Sequence, residues 1–428
     1  MELTRTFHPI GQGGFYTETF DSLPNKPMIV FDCGGNSSRS MKNYIDSFLP
    51  NDSKKIIEAV FISHLHADHI NGLQYLMDRA IVRRIFLPQF THNHLFNAFW
   101  YNAPHSSQGY RTDKFILSLI RATKYGYNRG ETSIIQVEEA EENHDITEKF
   151  ENLQTLNSNI LTSGTFLTIE DRWVYIPFNP ISHKPNFEAI DNYYIRLDLE
   201  EIYEEKDIYR QAELLAQFIA LLSVDECKKI YKQLFGIHNG QSMTLFSGLI
   251  NPTLDIRVRC RLFDLPCYDF YSHHHHCCLL GREKDVPTNF LYMGDYEADR
   301  VIDLEGFYRG LNVWGTICGI QIPHHGSRQN YASILYNERC YAVATAGMAN
   351  KFHHPNIDTL INIFQQGCMP FVVTEDKNTI IIDPGDDKEK IIKCIDREGL
   401  KVKYIILTHA HYDHLNATAD IKKSIAKP

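Results

Sequence analysis

Residues 61–71 place four side chains that can bind a metal ion within six positions: His64, His66, Asp68 and His69. His64 and His66 are two residues apart, so both can reach one ion from an extended segment or a tight loop. Asp68 and His69 then turn toward a second ion. Imidazole and carboxylate groups hold zinc, manganese or iron without any thiolate. The segment therefore predicts a metal site, and the alternative is a His-rich surface turn.

The stretch in front of this cluster is largely apolar and β-branched from Ile56 to Ile62. Such a run, bounded by polar segments, is typical of a buried strand. The loop that carries the four possible metal ligands is therefore expected at the carboxyl end of that strand.

The pattern His-x-His-x-Asp-His after a buried strand resembles the signature of the metallo-β-lactamase superfamily. The resemblance implies an α/β fold, the αββα sandwich, with helical insertions and a metal site at one edge. It implies two divalent metal ions, zinc first, with manganese or iron as alternatives. The implied chemistry is hydrolysis by a metal-bound hydroxide.

Three downstream segments sharpen this resemblance. Residues 290–295 end in Gly-Asp, residues 323–327 read Pro-His-His-Gly-Ser, and residues 350–355 read Asn-x-x-x-His-Pro. In that order they resemble the metallo-β-lactamase-like domain of bacterial competence proteins, which import DNA. Residues 371–380 also resemble the final hairpin of that domain. The chain has no counterpart of the membrane channel of those proteins, so DNA transport is not expected. What the resemblance leaves is a phosphodiesterase or nuclease.

The same resemblance implies that His64, His66, Asp68 and His69 are metal ligands. It also implies roles for the downstream residues. Asp295 would bridge two metals, and His354 would be the last metal ligand. His324 and His325 would lie near the substrate as proton donors or phosphate contacts, with Asp68 as a ligand or an orienting base. The reverse assignment, with a histidine of the His-His-Gly-Ser segment on the metal, stays open.

Two further residues have two interpretations each. Asp32 ends an apolar strand in an Asp-x-Gly pattern and would support the metal ligands from behind, or it forms a turn. His183 follows a predicted strand and is the nearest candidate to complete the first metal site. Its surroundings do not match the His-containing turn of the family, so it is not included among the predicted ligands.

The predicted hydrolase domain spans residues 1–382, with insertions at about 91–150, 184–240 and 251–288. The first insertion mixes aromatic and basic residues, which could line a groove for single-stranded nucleic acid; the alternative is an amphipathic helical insert. Apolar positions at helical spacing in residues 200–235 predict one or two helices. Cysteines and histidines in the third insertion predict either a structural zinc site or a buried hairpin.

Residues 383–428 repeat the opening theme. An apolar strand ends in Asp-Pro-Gly, a helical stretch follows, and a second complete His-x-His-x-Asp-His runs from His409 to His414. This segment resembles the start of a glyoxalase II-like member of the superfamily. We expect a partial second module that packs as a βαβ appendage or lies exposed.

Composition limits the partners. Lys and Arg number 43 against 53 Asp and Glu, which gives a net charge of −10, so a nucleic-acid substrate would need a local basic patch. The sequence contains no run long enough to span a membrane and no signal-peptide pattern at the N-terminus, which predicts a cytoplasmic protein with reduced cysteines.

Three functions remain on the sequence alone. The first is a metal-dependent phosphodiesterase or nuclease, with a phosphodiester or nucleic acid as substrate. The second is a small-molecule hydrolase acting on a lactone, thioester or β-lactam, which the acidic charge and the glyoxalase-like tail favour. The third is a catalytically idle, regulatory metal-binding protein. Oligomeric state is not indicated by the sequence.

Overall fold

The computed structural model describes residues 1–49, 55–103, 112–127, 132–140, 148–236, 242–249, 257–262, 289–337, 339, 341–348, 350–375, 378–382, 388–398, 401–406 and 416–425. Across these ranges, no helix combines the length and apolar character needed to cross a membrane. The Cys- and His-rich segment of the third insertion and the second His-x-His-x-Asp-His lie almost entirely outside the described residues.

Runs of strands are separated by helices along the chain. They are β1 (Glu2–Phe7), β2 (Phe15–Phe20), β3 (Met28–Cys33), β4 (Ile56–Phe61), β5 (Ile81–Val82), β6 (Arg84–Pro88), β7 (Ser133–Val137), β8 (Phe150–Asn152), β9 (Ile160–Leu161), β10 (Phe166–Ile169), β11 (Trp173–Phe178), β12 (Thr244–Leu249), β13 (Arg257–Leu262), β14 (Asn289–Tyr292), β15 (Ile317–Gln321), β16 (Tyr341–Thr345), β17 (Met369–Val373), β18 (Asn378–Ile382) and β19 (Lys401–Ile406).

The helices group into inserts and connections. They are α1 (Ser38–Phe48), α2 (Ala67–Ile70), α3 (Leu73–Arg79), α4 (His92–Asn102), α5 (Thr112–Tyr125), α6 (Tyr193–Tyr203), α7 (Ile208–Ile219), α8 (Val224–Phe235), α9 (Val301–Gly310), α10 (Ile357–Gln365), α11 (Lys388–Glu398) and α12 (Thr418–Ile425).

Two mixed sheets form the centre of the molecule. The first has the order β13-β1-β2-β3-β4-β6-β7-β9, with β5 beside β4, and the second has the order β17-β16-β15-β14-β12-β11-β10-β8. Strands β3, β4 and β6 are mutually parallel in the first sheet, as are β14, β15, β16 and β17 in the second. The predicted α/β fold class is confirmed. The parallel strands matter most, because their carboxyl ends carry the predicted site residues.

Aromatic side chains fill the space between the two sheets. Phe31 stacks on Tyr292 with ring centroids 4.9 Å apart, and Phe61 stacks on Phe86 and faces Tyr175. Helices α1 and α3 to α8 cover the outer face of the first sheet, whereas α9 and α10 cover the outer face of the second. Apolar burial on both faces explains why the central strands read as continuous hydrophobic runs.

A buried ion pair lies within the core between the sheets. The Glu18 carboxylate accepts a hydrogen bond from Arg5 Nε at 2.7 Å within the first sheet. It also accepts from the hydroxyls of Tyr175, Ser247 and Tyr292 on the second sheet, at 2.7 to 2.9 Å. A buried carboxylate is costly unless its oxygens are paired. The network therefore requires one relative position of the two sheets.

Two predictions of local structure need correction. Residues 371–380 were expected to form a closing hairpin, but β17 joins the second sheet and β18 pairs in parallel with β19 in a separate two-stranded sheet. Residues 378–382 therefore pair with β19 of the C-terminal segment, and the domain boundary predicted after residue 382 stays a prediction. Residues 200–235 lie in three helices, α6 to α8, where one or two were predicted.

Candidate metal centre

The candidate metal centre lies where parallel strands of both sheets end. β4 leads into His64 and His66, and the one-turn helix α2 presents Asp68 and His69. Asp295 follows β14 and His325 follows β15 in the second sheet. Because β4 belongs to one sheet and β14 and β15 to the other, the two halves of the chain meet at this edge. The carboxyl edge of parallel strands is a common position for functional sites.

A first group of possible metal ligands consists of His64, His69 and Asp295, all buried. One ligand atom from each lies within 4.8 Å of the other two. His69 Nε2 is 3.3 Å from Asp295 Oδ1, and His64 Nε2 is 3.7 Å from Asp295 Oδ2. The two histidines therefore approach the same carboxylate from different sides.

A second group consists of Asp68, His69 and His325. His325 Nε2 is 3.4 Å from Asp68 Oδ2 and 3.9 Å from Asp295 Oδ1. The two groups share His69, and both border Asp295. This arrangement has the form expected of two adjacent cation positions beside one carboxylate.

The unpaired polar atoms of these residues fit a metal ion. Within the described ranges, no hydrogen-bond partner is found for four buried atoms, which are His64 Nε2, His69 Nε2, His325 Nε2 and Asp295 Oδ1. Buried polar atoms are normally paired, because leaving one unpaired costs about 1–3 kcal/mol. Neutral imidazole and carboxylate are ligands of zinc and similar divalent ions. The residues present therefore fit the implied cofactor.

The other nitrogen of each of these histidines is hydrogen-bonded away from the centre. His69 Nδ1 donates to Asp32 Oδ2 at 2.8 Å, and His325 Nδ1 donates to the Thr345 carbonyl at 3.0 Å. His64 Nδ1 is bonded to Ser63 Oγ at 2.9 Å and lies 3.1 Å from Ser242 Oγ. A donor on Nδ1 leaves the lone pair on Nε2, which then points at the centre.

Asp32 also organises the loop. Its carboxylate accepts from Ser63 N at 2.7 Å and from Ser63 Oγ at 2.8 Å, in addition to His69. The backbone packs closely here, since a Cβ at Gly34 would lie 2.3 Å from the Asp68 carbonyl oxygen. Of the two interpretations from the sequence, support of the metal ligands from behind agrees with these contacts.

The charges at the centre favour a cation. Burial opposes a charge on His69, but Asp295, Asp32 and Asp68 outweigh burial and raise the pKa of His69 well above its usual range. Burial, followed by the neighbouring His69 and His66, lowers the pKa of His64 well below its usual range. Burial opposes ionisation of Asp295, but the adjacent histidines, His324 first, hold its pKa well below the usual range. Three close carboxylates thus need compensating positive charge.

His66 lies beside the centre but in neither ligand group. Its ring stacks on Tyr101 of α4, with centroids 3.3 Å apart and planes 7° apart, and its Nε2 is 3.5 Å from Asn97 Oδ1. Burial lowers the pKa of His66 to about 3, so the ring is neutral. The His66 ring also lies edge-on against the His64 ring, with centroids 4.2 Å apart, but no atom of His66 joins either ligand group, and its role as a ligand stays a prediction.

His354 is placed farther out than expected. Its ring is 5.6 Å from the ring of His324, whose Nε2 is 3.9 Å from Asp295 Oδ2. His325 belongs to a candidate ligand group and His354 does not, which agrees with the reverse assignment considered from the sequence; the ligand role of His354 stays a prediction. His183 Nε2 pairs with Glu297 Oε2 at 2.6 Å and belongs to neither group.

Among the described residues of the centre, two side chains are partly exposed. The side chain of Asp68 is 24% exposed and that of His324 is 13% exposed, whereas His64, His69, Asp295 and His325 are each at most 3% exposed. The His66 side is closed by Tyr101. Burial, followed by the carboxylates of Asp68 and Asp295, raises the pKa of Tyr101 well above its usual range, as expected for a phenol held beside the acidic centre.

Several contributing residues were not found from the sequence. Ser242, Thr345 and Tyr101 contact the site from segments far from the first motif, and no spacing rule marks them. Glu297 pairs with His183 and lies two residues after Asp295 in the sequence. Its position beside a predicted site residue was a signal that could have indicated this contact.

Two family models match parts of this chain. One, described as "Metallo-beta-lactamase superfamily", matches residues 365–428, and the other, described as "Anti-Pycsar protein Apyc1", matches residues 20–115. Residues 20–115 contain the His-x-His-x-Asp-His that begins at His64. Residues 365–428 contain the one that begins at His409.

Curated relatives match shorter stretches. Hydroxyacylglutathione hydrolase GloC of Haemophilus influenzae is 38% identical over 69 residues, which is 16% of this chain and 32% of the relative. Transcriptional regulator GfcR of Picrophilus torridus is 30% identical over 80 residues, which is 19% of this chain and 40% of the relative. The probable metallo-hydrolase YqgX of Bacillus subtilis is 38% identical over 53 residues, which is 12% of this chain and 25% of the relative. The matched stretches thus span between a quarter and two fifths of each relative's length.

These matches support membership of the metallo-β-lactamase superfamily. The match over residues 365–428 falls on the tail in which the second motif was recognised. The chain also has two groups of His and Asp side chains that could hold a metal ion. The closer resemblance to competence proteins stays a prediction.

Proposed function

We propose that this protein is a metal-dependent phosphodiesterase, with phosphodiesters, nucleic acid among them, as substrates. The observation that carries the proposal is the pair of overlapping ligand groups that share His69 and border Asp295, with His324 beside them on the open side. Two adjacent cations and a flanking imidazole suit a phosphodiester, whose anionic oxygens need positive charge. The match to the model named for anti-Pycsar protein Apyc1 covers the first ligand motif and adds no substrate of its own.

His64 and Asp295 would hold one cation, and Asp68 and His325 a second one beside it. His69, whose single Nε2 lone pair can bind one ion, would complete one of the two sets. When bound, such ions would acidify a shared water and neutralise charge on the phosphoryl oxygens. Zinc is the first expectation, because the donor set is nitrogen and carboxylate oxygen.

The surrounding residues have distinct tasks in this proposal. Asp68 is the more exposed carboxylate, so it would orient the attacking water and accept its proton. His324 lies 3.9 Å from Asp295 and faces the open side, so its ring N–H would contact a phosphoryl oxygen or protonate the leaving group. Asp32 and the Thr345 carbonyl hold His69 and His325 in the tautomers that the ligand role requires.

A second candidate is hydrolysis of a thioester. Its support is the match to hydroxyacylglutathione hydrolase GloC, which covers 16% of this chain. Phosphodiesters and thioesters could be hydrolysed with the same metal ligands. A comparison of turnover on the two substrates therefore distinguishes the two candidate functions.

The test compares turnover of bis(p-nitrophenyl) phosphate with turnover of S-lactoylglutathione by protein loaded with zinc, manganese or iron. We expect hydrolysis of the phosphodiester, reduced about a hundredfold or more in Asp295→Asn. Asp171→Asn is the matched control, because Asp171 is an exposed carboxylate outside the site. Turnover of the thioester without the phosphodiester would favour the second candidate, and unchanged phosphodiester turnover in Asp295→Asn would refute the site assignment.

A further inference from the structure

Among the described residues, Asp68, His324 and His354 lie on the exposed side of the metal centre. Tyr101 covers the opposite side through its stacking on His66, and α8 adds Tyr231, whose ring is 5.8 Å from that of Tyr101. A substrate whose reacting group lies at Asp295 can therefore extend outward past His324 and His354.

An exposed aromatic ring stands at the outer end of this path. The Phe352 ring is stacked on His354 with centroids 5.8 Å apart and planes 19° apart, and the Phe352 side chain is 73% exposed. The rings of His324, His354 and Phe352 thus follow one another outward from Asp295. The other face of Phe352 is available to a flat group.

The turn that carries Phe352 is held in place by Asn350. Asn350 Oδ1 accepts from His354 N at 2.7 Å, while its Nδ2 donates to the carbonyls of His354 and Gly347 at 2.6 and 2.5 Å. These bonds explain the Asn-x-x-x-His pattern in the sequence. Because these bonds close the turn on both sides of residue 352, the backbone that carries the exposed ring is held in place.

We propose that Phe352 is the residue that selects the substrate, and that it stacks on a nucleobase of a nucleotide phosphodiester. This inference rests on the proposed phosphodiesterase function and names its substrate class. A nucleotide carries the anionic diester and a flat apolar base on one short scaffold, which matches a cationic centre with an aromatic ring at its rim. The exposed Lys351 beside Phe352 adds positive charge where further phosphates would lie. Base stacking on an aromatic side chain tolerates different bases.

The test uses two chromogenic diesters with the same leaving group, thymidine 5′-(p-nitrophenyl phosphate) and methyl p-nitrophenyl phosphate. The measured quantity is the ratio of kcat/KM for the nucleoside ester to that for the methyl ester. We expect this ratio to fall roughly tenfold in Phe352→Ala, through KM, and to be kept in Phe352→Trp. Tyr194→Ala is the control, because Tyr194 is 78% exposed on α6 and is not part of the site. An unchanged ratio in Phe352→Ala would overturn the proposal.

Failure of the proposed function would give a different result. If metal-loaded wild-type protein hydrolyses neither ester, the phosphodiesterase proposal fails. Base stacking on Phe352 is then tested by the affinity for thymidine 5′-monophosphate, measured by calorimetry. Binding that is roughly tenfold weaker in Phe352→Ala, and restored in Phe352→Trp, would support stacking. Equal affinity in wild type and Phe352→Ala, or no measurable binding to wild type, would overturn it.

Discussion

Single hydrogen bonds behind the metal centre determine what its histidines can do. The Nδ1 atom of His69 is bonded to Asp32, and that of His325 to the Thr345 carbonyl, so each Nε2 lone pair points inward. A histidine in a metal site depends on such a partner for its orientation and tautomer. Asp32 is therefore as much part of the centre as the residues that would touch a metal.

Asp32→Asn tests this dependence. An amide at position 32 can place an N–H toward His69 and favour the wrong tautomer, so we expect the metal affinity to fall about 10–100-fold. Competition with a chromogenic chelator measures the affinity, and Asp171→Asn serves again as the control. Equal affinity in wild type and Asp32→Asn would show that the hydrogen bond does not support metal binding.

His8 makes stability depend on pH independently of the metal. It lies in the core, where burial lowers its pKa to about 3, and its ring nitrogens are bonded to Tyr44 and Thr17. The unfolded chain keeps the ordinary pKa of about 6.5. As the pH falls from about 6.5 toward 3, the unfolded state therefore binds a proton that the folded state excludes, and stability declines.

Urea unfolding at pH 7 and pH 5 measures this effect. We expect wild-type protein to lose about 2 kcal/mol more of its free energy of unfolding between these pH values than His8→Gln does. Glutamine keeps hydrogen-bonding groups at the position but does not titrate. The same pH dependence in both proteins would mean that His8 is protonated in the folded state.

Helix α4 connects the first insertion to the metal-binding loop. Asn102, at its end, donates from Nδ2 to the Leu65 carbonyl at 2.8 Å and accepts from Ala67 N at 3.0 Å. These two backbone groups lie on either side of His66, so the helix fixes the loop that carries the first motif. The insertion is therefore part of the site and not only a cover over it.

Asn102→Ala would leave both backbone groups without this partner. We expect the free energy of unfolding to fall by about 2 kcal/mol and metal affinity to fall with it. Asn186→Ala is a suitable control, because Asn186 is exposed and its side chain makes no cap hydrogen bond at the short helical turn that follows it. Loss of stability with unchanged metal affinity would show that α4 supports the fold but not the loop.

Local elements could be predicted from the sequence where the signal is local. The strands ahead of Asp32 and His64 and the helices of the inserts follow from apolar runs and helical spacing. The pairing of β18 with β19 could not be predicted, because nothing in residues 378–382 distinguishes a hairpin partner from a parallel one. Of the site, the motif histidines and Asp295 were found, whereas Tyr101 and Ser242 meet them only through the tertiary fold.

At the scale of the whole molecule, the candidate metal centre joins the two sheets. His64 and His69 come from the first sheet, and Asp295 and His325 come from the second. A cation held between them would bind the folded protein and not the unfolded chain, so it would stabilise both halves together.

Metal removal tests this connection. With free metal at 100 times its dissociation constant, we expect the loaded protein to be about 2.7 kcal/mol more stable than protein treated with chelator. Thermal unfolding with and without added zinc measures the difference, and Asp295→Asn should show little response. A metal-independent stability in wild type would argue against a site between the sheets.

Thr345 gives this division a consequence for how the protein is made. Its hydroxyl is bonded to Tyr16 and to the Gly13 carbonyl, while its own carbonyl accepts from His325. On the ribosome, the segment with His64 and His69 emerges first, and Asp295, His325 and Thr345 follow much later in the chain. Until they emerge, a nascent chain would hold an incomplete set of ligands. We therefore expect firm binding of metal only after the second sheet has docked.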